Sequence, residues 1–459
     1  MKASIGYEIF PDRFCSTKAK PGAVEWESPV EKKEDASHQF VFYGGDLRGI
    51  ASKLDYLSDL GIDFVYLTPI FRANTAHRYD CVNYFEIDPM LGTKEDLIDL
   101  AKALHARNMR LVLDVAFNHV GLGHQWVTDP GFSDFLYQPS GTVTFWSNSP
   151  TLPEVSLENN SVRETLWEGE ESVIAYWTKM GVDDWRLDCA YDIGIPYLKD
   201  ITAHLHKMGE HKTIGEIWSY PGEWLENGVL DGVMNYYFKT LTEMLLRKEI
   251  EGSVFGELVE RTVADCGLES ILTSWNVLST HDTPRLKTHM PQKWQLAIAL
   301  QFTLPGSPLI YYGEELGLES GGDPYNRQPM PWQARALDNE TMKVYKKWTE
   351  LFHSSKALCE GTFKNLEANN SSIAAFSRKG HSIAEYTIVI LNPTDMEISF
   401  TVFTEESLLM NATKMRDAFT GRAFPIWNST VSGSISPESF LVITPDIHFS
   451  EYNPYKRVL

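Results

Sequence analysis

Four short stretches of this 459-residue chain carry a carboxylate in a suggestive setting, three of them with histidine or arginine: "DVAFNH" at 114–119, "WRLD" at 185–188, "IGEIW" at 214–218 and "STHD" at 279–282. They offer Asp114, Asp188, Glu216 and Asp282 as acids, with Asn118, His119, Arg186 and His281 close by. Paired carboxylates in different surroundings can divide proton transfer and nucleophilic attack between them. The second stretch is the most telling. Residues two apart in a strand face the same side, so Arg186 and Asp188 point together while Trp185 and Leu187 point the other way. Charges inside an otherwise apolar strand need a partner or a task. A single Asp or Glu at a strand end more often caps a helix or meets solvent. Four of them at the ends of different strands point to a site.

The elements that must carry these stretches show in an internal echo. Residues 56–67 ("YLSDLGIDFVYL") and 176–187 ("YWTKMGVDDWRL") share one plan: a helix end, a glycine in the left-handed position after it, and a buried strand. Between them, Thr93 and Asp96 form a capping box, Leu97, Leu100, Ala101 and Leu104 a helical stripe, and "RLVLDVA" a strand. Ser161 and Glu164 read as a second capping box. Carried along the chain, the plan predicts eight strands alternating with helices, near 5–9, 64–68, 110–116, 183–188, 213–217, 232–235, 275–279 and 308–312. The expected α/β fold is a (β/α)8 TIM barrel. Its only long strand-to-helix connection is expected at 119–160, a small inserted subdomain after the third strand. Beyond the helical "ETMKVYKKWTELFHS" the texture turns to short alternating segments, which predict a C-terminal antiparallel β-sandwich. The expected division is barrel at 1–118 and 161–360, inserted subdomain at 119–160 and sandwich at 361–459.

In such a barrel the reactive side chains come from the C-terminal ends of different strands. Asp188 and Glu216 end neighbouring strands, which lie about 4.8 Å apart. Their carboxyls can approach the roughly 5 to 5.5 Å separation of a nucleophile and acid/base pair that cleaves glycosidic bonds with retention. Arg186 is expected to keep Asp188 ionised, as a nucleophile requires. Glu216, among Ile214, Ile217 and Trp218, is expected in apolar company that raises its pKa and suits a proton donor. Asp282 is a third acid, bracketing the sugar. Trp218 projects to the same side as Glu216 if the strand continues, where it can stack on a leaving or incoming sugar. By the same period Cys189 faces away and reads as a small core residue.

Composition narrows the partners. The 62 acidic residues outnumber the 41 basic ones, for a formal charge of -21, which disfavours nucleic acid, anionic membranes and polyanionic substrates. The five cysteines (Cys15, Cys81, Cys189, Cys266, Cys359) are odd in number and form no CxxC pair, which suits a reducing compartment. The opening "MKASIGYEIFPDRF" lacks an apolar signal core. No run reaches the roughly 20 apolar residues of a membrane span. A cytoplasmic protein with no membrane partner is expected, its oligomeric state left open.

As a set and in this order, "DVAFNH", "GVDDWRLD", "GEIW" and "STHD" resemble the motifs of the α-amylase family of glycoside hydrolases. The resemblance runs through barrel, inserted subdomain and sandwich. It implies Asp188 as nucleophile, Glu216 as acid/base and Asp282 as transition-state stabiliser. It further implies that Arg186, His119 and His281 line one sugar's subsite, with His77 and Tyr79 of "HRYD" stacking on that sugar and hydrogen-bonding to it. "FYGGDLRGI", "HRYDCVNYFEIDPMLGT", "LPEVSLEN" and "GGDPYNRQPMPW" are similar to the neopullulanase, cyclomaltodextrinase and maltogenic amylase group. There Asp323 and Arg327 would match residues contacting the next sugars. The chain is expected to lack the group's extra N-terminal domain, and it departs from the group in Cys189, Ala190, Tyr191 and Asp192 after Asp188 and in Ser219 after Trp218. The implied reaction is hydrolysis of malto-oligosaccharides, cyclodextrins or related α-1,4-glucans through a glycosyl-enzyme. A glucanotransferase would use the same intermediate and resolve it with a sugar. A non-catalytic barrel acting as a binding subunit is disfavoured by the three carboxylates. No cofactor is implied. A calcium role for Asn118 or Asp46 is disfavoured because the acidic loop after "PDRF" that would complete such a site is absent.

Overall fold

Short runs of branched and aromatic residues that alternate with glycine-terminated helices must be covered on both faces, which a closed parallel barrel ringed by helices achieves. The computed structural model describes residues 2–332, 339–447 and 455–457. Its first ten strands are β1 (Gly6–Ile9), β2 (Phe64–Leu67), β3 (Phe71–Ala73), β4 (Cys81–Ile87), β5 (Arg110–Val115), β6 (Asp184–Leu187), β7 (Thr213–Ile217), β8 (Gly232–Asn235), β9 (Trp275–Asn276) and β10 (Ser307–Tyr311). Eight of them close a barrel in the order β1-β10-β9-β8-β7-β6-β5-β2, while β3 and β4 pair with each other. Phe64, Tyr66, Val112, Ile214, Met234, Tyr236, Trp275 and Leu309 fill the barrel as one apolar cluster. The outward faces of the strands pack on the surrounding helices in a larger one.

The expected joints are present where local chemistry dictates them. Gly61 and Gly181 take φ of +81° and +107°, a region costly for any residue with a Cβ, and each turns a helix end into the next strand. Thr93 and Asp96 close their capping box ahead of the helix Lys94–His105. The Ser161–Glu164 box does not form. Asn159 caps that helix instead, accepting from the Ser161 backbone N–H, so Ser161 lies within the first turn. Nor is 119–160 the only long connection. Residues 10–46 separate β1 from the helix Leu47–Ala51, residues 68–93 carry the β3–β4 hairpin, and a further loop follows β10. The helical turn Pro11–Phe14 and the hairpin strands resemble regular elements locally. Only their long-range packing makes them parts of loops.

The remaining strands are β11 (Thr362–Asn365), β12 (Ala374–Lys379), β13 (Tyr386–Asn392), β14 (Ile398–Phe403), β15 (Lys414–Asp417), β16 (Ala423–Trp427), β17 (Thr430–Ile435) and β18 (Ser439–Pro445). They form an antiparallel sheet in the order β11-β12-β13-β18-β15-β16-β17-β14. The sheet folds back on itself: Val402 of β14 bridges Ala368, in the connection between β11 and β12 at the other end of the order. A separate apolar core including Ile388, Ile390, Phe400, Val402, Ile426 and Ile443 lies between the two layers. Buried Arg378 ties this sheet to the barrel, donating to the carbonyls of Thr303, Leu358 and Gly361. All five cysteines are free and buried.

Candidate active site

Strand register assembles the site at the C-terminal mouth of the barrel. Pairing of β5 with β6 sets Asp114 beside Arg186, and pairing of β6 with β7 sets Leu187 beside Gly215, so Asp188 and Glu216 emerge side by side. Arg186 is 0% exposed. Its guanidinium meets Asp114 at 2.9 Å, Asp188 at 2.7 Å and Glu216 at 3.1 Å. The Tyr66 and Tyr79 hydroxyls also donate to Asp114, at 2.6 and 2.9 Å. A buried cation is tolerated only when opposite charges surround it. Arg186 thus lies beneath the carboxylates, where it fixes their positions.

Arg186 does not by itself settle the charge on Asp188. Burial pushes that carboxyl up to about 7; Arg186 opposes the rise, and the Glu216 and Asp114 charges add to it. The sequence expectation counted the cation and left out the desolvation and the two neighbouring acids. Glu216 also differs from expectation. Its carboxylate is in polar company: Oε2 accepts from the Cys189 backbone N–H at 3.0 Å, and Oε1 accepts from the Trp218 indole at 2.9 Å.

A second chain of charges crosses the mouth. Glu8 of β1 accepts from the His281 backbone N–H at 3.0 Å and from its Nδ1 at 2.6 Å. His281 Nε2 lies 2.6 Å from the Tyr79 hydroxyl and 3.0 Å from Asp282. Burial works against an imidazolium here, but Asp282 and Glu8 outweigh it and hold His281 up at about 10. Burial likewise works against ionised Asp282, yet His281 and Arg327 hold it below the usual carboxylate range. Arg327 reaches Asp282 at 3.0 Å and Asp323 at 2.9 Å, linking both to the site. The Tyr79 ring is stacked between those of His77 and His281, with centroids 5.9 and 5.6 Å away. Burial, with Arg327 and Arg78 nearby, lowers His77 to about 3.

Cys189 overturns its expected place in the core. The strand ends at Leu187, so period two no longer applies. Cys189 adopts φ of +48° and turns back, its thiol donating to Asp188 Oδ2 at 3.0 Å. Trp218 lies past the end of β7 but stays beside Glu216. One face stacks on Tyr236 at 3.8 Å and 10°, and the residue remains 54% exposed. His119 is buried against Trp146 of the inserted segment, and burial lowers its pKa to about 4. The Trp146 indole donates to Asp192 at 3.2 Å.

These strand-end carboxylates can be set against known proteins. The catalytic-domain profile of the α-amylases matches residues 8–140 and 143–357. The chain belongs to the α-amylase family. A cyclomaltodextrinase from Bacillus sp is 33% identical over 402 residues, covering 81% of this chain and 69% of that one. Neopullulanase 2 of Thermoactinomyces vulgaris is 30% identical over 405 residues, covering 82% of this chain and 67% of that one. Among solved structures, the cyclic alpha-maltosyl-(1-->6)-maltose hydrolase of Arthrobacter globiformis, in complex with its namesake sugar, superposes with a TM-score of 0.82 at 28% identity, covering 96% of this chain and 98% of that one. The chain is therefore an α-amylase-family glycoside hydrolase of the cyclomaltodextrinase and neopullulanase type.

In this member of the family, sequence reasoning missed Glu8, Tyr66 and the inward turn of Cys189. Glu8 carried the same signal as Arg186, a charge within an apolar strand, but its partner is 273 residues away. The Asp46 carboxylate caps the helix Leu47–Ala51 and pairs with Lys20 at 2.8 Å. No described helix is long and apolar enough to cross a membrane.

Proposed function

We propose that this glycoside hydrolase cleaves α-1,4-glucosidic bonds of malto-oligosaccharides and cyclic α-glucans with retention, through a covalent intermediate on Asp188. The observation that carries the reading is the single buried guanidinium of Arg186 contacting both Asp188 and Glu216. That bridge favours the close carboxylate spacing of about 5 to 5.5 Å over the wider gap that admits a water between acid and base. Asp188 attacks the anomeric carbon as Glu216 protonates the departing oxygen; Glu216 then takes a proton from the water that releases the sugar. Asp282, held ionised by His281 and Arg327, receives the hydroxyls of the bound sugar and favours the positive charge of the transition state. His77, Tyr79 and His119 line the same subsite, and Asp323 with Arg327 meets the next sugar. The site needs no cofactor in this scheme, and the substrate is a neutral sugar with no nucleic acid or membrane partner. The protein works in the cytoplasm.

Transfer to a sugar competes with water at the same intermediate. The open face of Trp218, beside Glu216, favours it as a side reaction, because an acceptor can stack there. Proton NMR of early maltotriose or cyclodextrin turnover tests the main reading: the first new reducing end is the α-anomer. An initial β-anomer refutes the two-step route, and oligomers longer than maltotriose measure the share of transfer.

A further inference from the structure

We propose that Cys189, His119 and Asp188 together bind a thiophilic divalent cation such as Zn2+, and that an ion held there shuts the active site. Among the described residues these three form the one group of histidine, cysteine and carboxylate side chains whose ligand atoms converge, all within 4.8 Å of one another and all on buried residues. The thiol and Asp188 are already in contact at 3.0 Å. His119 is 1% exposed, and one ring nitrogen faces the Tyr79 backbone, which leaves the other to meet an ion. A neutral imidazole is the form that binds metals, and burial keeps His119 neutral. Sulfur, nitrogen and one carboxylate make a donor set for Zn2+ or Co2+, whereas Ca2+ and Mg2+ take oxygen ligands. Bonds of about 2.0 to 2.3 Å set ligand atoms roughly 3.3 to 3.7 Å apart around a tetrahedral ion, so the side chains must draw in by up to about 1.5 Å.

Binding exchanges one ion for one proton. The Cys189 S–H bond breaks, its proton goes to solvent, a sulfur–metal bond forms, and nothing is oxidised or reduced. Binding therefore has to displace the proton that the thiol now donates to Asp188 Oδ2. Arg186 opposes the incoming charge, while Asp114, Asp188 and Glu216 favour it. The inhibitory half rests on the function proposed above, because it needs Asp188 to be the nucleophile; the binding half does not.

Titration of the purified protein with Co2+ tests binding without any substrate. One equivalent should produce a thiolate-to-cobalt charge-transfer band, which Zn2+ and maltotriose each remove. In turnover assays Zn2+ should inhibit competitively, with EDTA restoring the rate. Cys189→Ala should lose the band and need at least tenfold more Zn2+ for half-inhibition of its own rate. No band in the unsubstituted protein, a band that survives in Cys189→Ala, or unchanged Zn2+ sensitivity in Cys189→Ala overturns the site, and a band that maltotriose leaves untouched overturns the inhibitory half. A normal band in a protein that turns over no α-glucan would instead leave the site standing and remove the proposed function.

Discussion

At the scale of single residues, two buried clusters set the pH behaviour. The free enzyme needs ionised Asp188, whose carboxyl stands at about 7, protonated Glu216 to donate to the leaving oxygen, and protonated His281, which stands at about 10. Because kcat/KM reports the free enzyme, its profile should fall as pH drops through about 7 and fall again on the alkaline side as Glu216 or His281, whichever goes first, loses its proton. Glu8→Gln keeps an acceptor for His281 but removes a counter-charge, so the His281 imidazole, followed by NMR, should titrate about one pH unit lower than with Glu8 present. An unmoved His281 titration would show that Glu8 has only a packing role. Trp218→Ala removes the open stacking face, worth about 1 to 2 kcal/mol. KM on short oligosaccharides should rise about tenfold and transfer products should decline. Unchanged kinetics with early melting would reduce Trp218 to a plug on Tyr236. The Arg186–Asp188 pair was legible in the sequence because period two holds within β6. Cys189 was not, because its positive φ reverses the side chain just beyond the strand end. Glu8 lacked a visible partner because His281 comes to it only when β1 and β10 close the barrel.

Elements were legible where their signals are local. Thr93 and Asp96 announced a helix start, and the structure contains both reciprocal hydrogen bonds. Thr93→Ala should cost about 1 kcal/mol in urea unfolding and leave the kinetic constants unchanged. A loss of activity at equal stability would mean that the helix Lys94–His105 positions the site more directly than its place outside the barrel suggests. The Ser161 box failed because Asn159, two residues earlier, takes the cap. The β3–β4 hairpin went unread because its strands belong to no alternating helix–strand unit. They hold Tyr79 near the mouth through contacts distant in sequence, such as Tyr79 to Asp114.

For the whole molecule, eight apolar runs alternating with helices announced the barrel, whereas the order of the C-terminal strands depends on pairings that no local pattern encodes. Arg378 joins the two parts while wholly buried, with burial lowering its pKa to about 9. Arg378→Met should leave the Thr303, Leu358 and Gly361 carbonyls short of a donor, at a cost of about 2 to 4 kcal/mol. The Tm should fall while the rate at 25 °C persists; an unchanged Tm would deny the joint its structural weight. The central claim is that the assembled chain cleaves α-glucan through a sugar ester on Asp188. Its most direct test is peptide mapping by mass spectrometry after reaction of Glu216→Gln with a fluorinated α-maltosyl fluoride, whose good leaving group needs no proton. The account predicts one maltosyl adduct, on Asp188, and none in the Asp188→Asn protein. An adduct on another carboxylate, or turnover retained by Asp188→Asn, would contradict it.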